Sequence, residues 1–331
     1  MLVLGIDTSC DDTSIALLRD GAEVLSNIVS SQVQLHSRFG GIVPELASRK
    51  HVELIERIYE RALSDACVTL EEVDCLAVTN GPGLIGSLLV GLMFAKGLSL
   101  SASIPMVAVN HVEAHAMSIF LEQKPSFPFI ALIVSGGHTI LLLFEEPCRY
   151  RLIGSTRDDA AGEAFDKIAK YLGLGYPGGR AIEEIAAGGR TDAVPFPRPM
   201  LDENNCDFSF SGLKTAFVNF VKKHGITERS RPHLIASFQE AICDVLCRKT
   251  IRASRDHAVG NIVVGGGVAS NGRLRALFSE WAAREKISVL FPSQGLCTDN
   301  AAMVAITGCF YAERNLFSPE TVTGFSRMAR G

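Results

Sequence analysis

The chain lays out one β-hairpin plan twice, and that repetition narrows the folds open to it. Residues 2–6 and 13–18 are short β-type runs on either side of the polar turn Asp7-Thr8-Ser9-Cys10-Asp11-Asp12. Far downstream, 129–134 runs into Ser135-Gly136-Gly137-His138-Thr139 and returns as 140–144. Apolar runs separated by short turn-forming clusters read as hairpins, and two on the same plan predict an internal duplication. Each turn offers hydroxyls and backbone N–H groups, and glycine lets the main chain approach an anion closely, so each turn could cradle a phosphate. Two tight hairpins without a ligand fit the same residues.

The stretches between and after the hairpins follow α/β grammar. Residues 43–63 carry apolar positions at helical spacing with Arg49, Lys50, Arg57 and Arg61 interspersed, which predicts an amphipathic helix with a basic face. A strand over 75–79 enters Asn80-Gly81-Pro82-Gly83-Leu84-Ile85-Gly86-Ser87, a helix continues to about residue 100, and 105–109 is a second strand. Strand, glycine loop, helix, strand predicts a largely parallel sheet. Two prolines interrupt the pattern at 122–128, so the expected division is a first lobe over 1–126 and a second over 127–331, with the last helix packing back on the first.

In the second lobe the pattern predicts helices ending at Gly173 and at about residue 187, an irregular excursion over 195–211, and helices over 213–224 and 231–255. A strand at 261–264 opens into Gly265-Gly266-Gly267-Val268-Ala269-Ser270-Asn271-Gly272 and a helix over 273–283. That is a glycine-rich strand-to-helix turn of the kind that receives phosphate or a nucleoside. After a strand at 289–291, Cys297-Thr298-Asp299-Asn300 precedes a helix to about Tyr311.

The strongest chemical signal is Asn110-His111-Val112-Glu113-Ala114-His115, which ends the 105–109 strand. Histidines four apart share one helix face, a metal-ligand spacing. The zinc-peptidase pattern H-E-x-x-H places its glutamate directly after the first histidine. Here Glu113 lies two residues on, about 200° around the helix from His111, so it cannot easily serve as that base. A carboxylate completes a two-histidine site, and Asp299 is the candidate. A helix start with one packed and one capping histidine, and a helix cap at Thr298 or Asp299, are the competing readings.

Composition sets outer limits. With 331 residues, 47% apolar, the chain can bury a core in each of two domains, and its net charge of −4 excludes a surface coated in positive charge for nucleic acid. Nine cysteines without a C-x-x-C pair predict reduced thiols in a cytosolic protein, with no disulfide. The start Met1-Leu2-Val3-Leu4-Gly5 has no basic region or cleavage site, which argues against a signal peptide, and no apolar run is expected to span a bilayer.

Two phosphate hairpins and a G-G-G turn resemble the actin, sugar-kinase and Hsp70 ATPase superfamily, which implies an α/β fold of two lobes, duplicated ribonuclease H-like domains, and an active site in a cleft. Finer motifs go further. In order, Gly5-Ile6-Asp7-Thr8-Ser9-Cys10-Asp11-Asp12-Thr13, Gly41-Ile42-Val43-Pro44-Glu45-Leu46-Ala47-Ser48-Arg49, Asn80-Gly81-Pro82-Gly83, the H-V-E-A-H run, Val134-Ser135-Gly136-Gly137-His138-Thr139, 158–166 and Phe208-Ser209-Phe210-Ser211-Gly212 resemble the TsaD family. Its members transfer a threonylcarbamoyl group from threonylcarbamoyl-AMP to N6 of the adenosine beside the anticodon, position 37, of tRNAs reading codons that begin with adenine.

The resemblance implies that His111, His115 and Asp299 bind one divalent ion, Fe2+ or Zn2+, and that Ile133, Val134, Ser135, Gly136, Gly137, Asp166, Gly179, Glu183 and Asn271 hold the adenine nucleotide of the substrate. Asp11 and Asp12 are candidates to orient the attacking amine or accept its proton, with His138 assisting. A TsaB-like paralogue and a TsaE-like ATPase are the implied protein partners, tRNA the implied substrate, and no membrane is involved. Asp12 stands where the family has glutamate, Arg180 where proline is usual, and Glu183 where aspartate is frequent. The tail after Tyr311 lacks the family's Pro-Arg-Trp ending, and nothing carries over there. The competing functions are a metallopeptidase, which the position of Glu113 disfavours, a small-molecule kinase, which has no use for an H-x-x-x-H site, and a non-catalytic scaffold.

Overall fold

The computed structural model describes residues 1–328. Among these, ten strands form two five-stranded sheets, and the chain divides into two compact units.

The first unit opens with β1 (Leu2–Asp7), β2 (Asp12–Arg19) and β3 (Glu23–Ser31), followed by α1 (Val33–Ser37), α2 (Pro44–Ala66), β4 (Cys75–Gly81), α3 (Ile85–Ala102), β5 (Met106–Asn110) and α4 (His111–Met117). The expected hairpin is β1 against β2, antiparallel, with Asp7 opposite Ser14. Strand order is β3-β2-β1-β4-β5. β1, β4 and β5 run parallel, whereas β3 extends the hairpin antiparallel, so the sheet is mixed rather than largely parallel. β3 escaped the periodicity argument because an edge strand pairs on one side only and tolerates the polar, half-exposed sequence found there.

The second unit repeats the plan with β6 (Phe129–Val134), β7 (Thr139–Glu146), β8 (Arg149–Ser155), α5 (Ala161–Tyr171), α6 (Gly179–Ala186), α7 (Ser211–His224), α8 (Arg231–Asp256), β9 (Asn261–Gly265), α9 (Gly272–Glu285) and β10 (Ser288–Leu290). Its sheet order is β10-β9-β6-β7-β8. The irregular 195–211 excursion is held against its own unit. The Asp158 carboxylate accepts from Ser209 Oγ at 2.5 Å, Ser211 Oγ at 2.6 Å, and the backbone N–H of Phe210 and Ser211. Farther back, Lys249 Nζ and Arg252 both donate to the Asn205 carbonyl.

The C-terminal segment returns to the first unit. The segment after Phe291, with α10 (Gln294–Cys297) and α11 (Ala301–Ala312), clusters with the first unit rather than the second. The reason is α11, apolar around its circumference and buried from Ala301 to Cys309. A helix of that kind must be enclosed, and it lies on the sheet of the first unit at the two places where a side chain is missing. A Cβ on Gly5 of β1 would lie 2.3 Å from the Ala301 carbonyl oxygen, and one on Gly308 would lie 2.4 Å from Ala77 Cβ.

Beyond α11 the chain runs back along the edge strand β5. Ser318 N–H donates to the Met106 carbonyl and Ser318 Oγ accepts from Ala108 N–H, both at 2.8 Å. Lys96 Nζ and Asn80 Nδ2 donate to the carbonyls of Val322 and Thr323, and Phe325 N–H donates to the Asn80 carbonyl at 2.9 Å. Phe325 lies against Gly81, whose φ of +148° and lack of Cβ the contact requires.

One further expectation is corrected. α3 is long and apolar enough to cross a membrane by length and composition, because its single lysine does not offset eighteen otherwise uncharged residues. In the fold it packs through Leu88, Gly91, Leu92 and Ala95, and Thr8 Oγ1 accepts from Gly91 N–H and donates to the Ser87 carbonyl. The close seating of α11 yields a test. Gly5→Ala forces the helix off the sheet and is expected to cost about 1–3 kcal/mol by overpacking. A denaturant midpoint equal to that of the parent would contradict this packing account.

Candidate functional site

β5 delivers the histidine motif to the end of its sheet. Asn110 ends the strand and caps the next helix, its Oδ1 accepting from Val112 and Glu113 N–H. His111 is therefore the first residue of α4 and His115 follows one turn later, with ring centroids 4.7 Å apart, edge to face. Asp299 comes from the far end of the chain, just ahead of α11. It does not cap that helix. Asn300 does, accepting from Met303 N–H at 3.1 Å, which leaves Asp299 Oδ1 at 3.1 Å from His115 Nε2 and 3.7 Å from His111 Nε2.

One ligand atom from each of His111, His115 and Asp299 lies within 4.8 Å of the others. Both histidines are buried, while the Asp299 side chain keeps 22% of its surface, so the cluster is open on one side. Burial lowers the His111 imidazole to about 4, outweighing the attraction of Asp299 and aided by His115. It is neutral near pH 7, the form that ligates a metal.

Two more carboxylates crowd the cluster. Asp7, which ends β1, is fully buried with Oδ2 3.7 Å from His111 Nδ1. Burial, then the charge of Asp299, raises its carboxyl to about 6. Asp12 begins β2. Burial lifts it to about 7 against a hydrogen bond with Ser31, and Asp299, Asp11 and Asp7 add to the rise. Asp11 is raised as well, first by burial. Asp7 Oδ2, Asp12 Oδ1 and His115 Nδ1 are buried without a hydrogen-bond partner. Buried anions without counter-charge are costly. Two imidazoles beside a group of raised carboxylates form a donor set that a divalent cation would relieve, so the residues fit a metal.

Glu113 takes no part in the cluster. It is buried, and the Tyr311 hydroxyl at the other end of α11 donates to it at 3.0 Å. The helical geometry that separates Glu113 from His111 in sequence thus holds in the fold.

The second unit gathers the other predicted residues at the ends of β6 and β9. Ser135, Gly136 and Gly137 form the turn, with Ser135 Oγ accepting from His138 N–H at 3.1 Å and the Ser135 carbonyl accepting from Gly162 N–H of α5 at 3.2 Å. Side chains added at Gly136 or Gly137 would meet nothing within 4 Å. Ile133 and Val134 are fully buried core residues in the β6–β7 ladder and offer no side chain to a ligand. His138 belongs to this unit, on the turn, whereas Asp11 and Asp12 belong to the first.

Asp166 Oδ1 accepts from Gly178 N–H at 2.7 Å, which places Gly179 at the start of α6. Burial raises the Asp166 carboxyl. Glu183 Oε1 accepts from Gly272 N–H at 2.7 Å, and Asn271 Oδ1 accepts from Leu274 N–H while its Nδ2 donates to Gln239. The first turn of α9 is therefore already served by the chain's own side chains. Arg180, the departure from proline, is exposed and pairs with Glu184. Sequence reasoning passed over Asp7 and Asp158 as functional positions. The signal for Asp7 was a carboxylate directly ending a wholly apolar strand, and for Asp158 two serines spaced to share one acceptor.

Comparison with known proteins then decides the family. The model described as TsaD, tRNA N6-adenosine threonylcarbamoyltransferase, matches residues 23–306. The chain belongs to this family. It is 51% identical to a tRNA N6-adenosine threonylcarbamoyltransferase of Syntrophotalea carbinolica over 94% of this chain and 92% of that one. A second relative of the same name, from Geobacter sulfurreducens, is also 51% identical, with coverage of 94% and 92%. The fold is shared with component A of (R)-2-hydroxyglutaryl-CoA dehydratase of Acidaminococcus fermentans, at a TM-score of 0.58 and 15% identity over 96% of this chain and 99% of that one. The shared fold is the α/β arrangement of two five-stranded sheets, each opened by an antiparallel hairpin.

The raised carboxylates carry a signed expectation. Asp12 has a folded value of about 7 against an ordinary value of 3.8. Its contribution to stability is complete below the unfolded value and is lost as pH rises through about 7. In metal-free protein, Asp12→Asn removes that loss, so the variant should gain stability over the parent between pH 5 and pH 8. Urea midpoints at the two pH values measure it. A pH-independent difference would show that Asp12 titrates normally.

Proposed function

We propose that this chain transfers a threonylcarbamoyl group from threonylcarbamoyl-AMP to N6 of the adenosine next to the anticodon, in tRNAs that read codons beginning with adenine. Family membership supports the reaction, and the convergence of His111, His115 and Asp299 is the observation that carries it to this chain. A divalent ion, Fe2+ or Zn2+, held by those three residues would supply Lewis acidity toward phosphate or carbamoyl oxygens.

The remaining chemistry belongs to the protein. The exocyclic amine attacks the carbamoyl carbon, the C–O bond to phosphate breaks, AMP leaves, and the amine must lose a proton. Asp12, raised to about 7, has an affinity suited to accepting that proton near neutrality. Asp11 beside it orients the amine. In the second unit, the outward face of the Ser135-Gly136-Gly137 turn suits the acyl-phosphate part of the adenylate, and Asp166, Gly179, Glu183 and Asn271 form its surroundings. No covalent nucleophile is needed, so positioning and charge stabilisation carry the rate. Glu113, committed to Tyr311, supports no peptidase reading.

A TsaB-like paralogue and a TsaE-like ATPase are the partners we assign, and the cytoplasm, where tRNA is modified, the location. A surface exists for such a protein partner. Ile85, Leu89 and Met93 recur every fourth residue on α3 and stand 47%, 43% and 49% exposed, an apolar stripe that one packed unit leaves uncovered.

Two outcomes are expected. His111→Ala and His115→Ala lose metal and transfer together, read by elemental analysis and by modified nucleoside formed from unmodified tRNA and threonylcarbamoyl-AMP. Full metal stoichiometry in both variants would refute the ligand set. Multiple-turnover transfer should rise steeply when the partner proteins are added, and Leu89→Asp should blunt that rise without changing metal content. Equal turnover by the purified chain alone would remove the partner requirement.

A further inference from the structure

We propose that Phe39, with Arg38, is a stacking platform for an unpaired nucleobase of the RNA substrate, beside the adenosine that is modified. The proposal rests on the transfer reaction above. Phe39 is 55% exposed, the most exposed aromatic among those that stand at the surface, ahead of Tyr171 and Phe317. A single exposed apolar residue is ordinary. What separates Phe39 is the backbone beneath it.

The loop that carries it is tied to the hairpin tip that bears Asp11 and Asp12. Gln32 N–H donates to the Asp11 carbonyl at 3.1 Å, and Asp12 pairs with Ser31 across the β2–β3 ladder. Fully buried His36 contacts Gln32 Oε1 through Nε2 at 3.2 Å and accepts from Val43 N–H through Nδ1 at 3.3 Å, which fixes α1 between the hairpin and the start of α2. Phe39 N–H then donates to the His36 carbonyl at 3.0 Å, as does Gly41 N–H at 3.4 Å. Gly40 turns the chain at φ +66°. The ring is thus offered to solvent from a backbone held at both ends, about 10 Å by helical rise from Gln32, the residue whose N–H meets the Asp11 carbonyl.

That is the placement an RNA substrate needs. A base whose amine is to reach Asp11 and Asp12 must leave the stack of its loop, and its neighbour loses a stacking face in the process. An aromatic ring on a fixed backbone replaces that face with little ordering cost. Arg38 is exposed, has no ion pair among the described residues, and is the cation adjacent to Phe39 in the chain, available to a backbone phosphate. The neighbouring cations Arg49 and Lys50 are already paired, with Glu45 and Glu53.

The test is steady-state transfer with unmodified tRNA and threonylcarbamoyl-AMP, partner proteins included. Phe39→Ala is expected to raise the KM for tRNA about 5- to 150-fold, the range that one base stack contributes. The KM for the adenylate and the metal content should stay at the parent values. Phe39→Tyr should restore the KM for tRNA, and Phe39→Leu should not, because a base stacks on a ring and not on a branched alkyl group. In a Trp281→Phe background, which removes the only other tryptophan, Phe39→Trp fluorescence should be quenched by an unmodified anticodon stem-loop RNA. An unchanged KM for tRNA in Phe39→Ala overturns the proposal, as does rescue by Phe39→Leu, which would indicate apolar packing against a protein. An effect confined to the adenylate KM overturns it too. Absence of transfer by the parent protein would instead refute the functional reading on which the proposal stands.

Discussion

The contact between Asp299 and His115 closes a loop of 184 residues, and the rest of the first unit is arranged to make that closure hold. A carboxylate does not stay beside two buried imidazoles on its own account. It is carried there by α11, whose apolar circumference has to be enclosed and whose axis is set by the bare backbone of Gly5 and by Gly308 against Ala77. Tyr311 and Glu113 tie the far end of the same helix to α4. Two attachments, one at each end of α11, fix the distance between the histidines and the aspartate more firmly than either could alone.

The same closure concentrates negative charge. Burial raises Asp7, Asp11 and Asp12, and the charge of Asp299 raises all three further. Stability alone would not select such a group, because burial raises Asp7, Asp11 and Asp12 despite the hydrogen bonds that lower them. Chemistry explains it. The proposed transfer would need a centre that binds a cation and accepts a proton near neutrality, and carboxylates whose affinities have been spread by environment would suit it. The second unit uses the duplicated hairpin differently. It has glycines in place of the aspartates, and its turn presents backbone rather than charge.

Partition of labour between units follows from one fold used twice. In both, the first two strands form an antiparallel hairpin, and a parallel strand pairs on the other side of the first. What differs is the turn sequence. Divergence after duplication needs changes only there, since the β ladders beneath are satisfied by apolar side chains of many kinds. The tail after α11 completes the edge of the first sheet, where β5 would otherwise leave Met106 and Ala108 without partners.

By itself the sequence determined what is local. The two hairpins, the helical face shared by His111 and His115, the turn at Ser135-Gly136-Gly137 and the helices over most of their lengths follow from periodicity and turn chemistry, which act over a few residues. It also excluded Glu113 as a partner of His111, since helix geometry places the two apart whatever surrounds them. Tertiary structure decided the rest. Asp299 could be a cap or a ligand until Asn300 was seen to cap α11. Ile133 and Val134 belong to the core because both sides of β6 are paired. The residues after 291 join the first unit because α11 seats against the bare backbone of Gly5 and, through Gly308, against Ala77, and Asp7 joins the cluster because β1 ends beside His111. Each of these depends on which distant segments meet, and burial, which sets the charge state of a carboxylate or an imidazole, exists only once they have met.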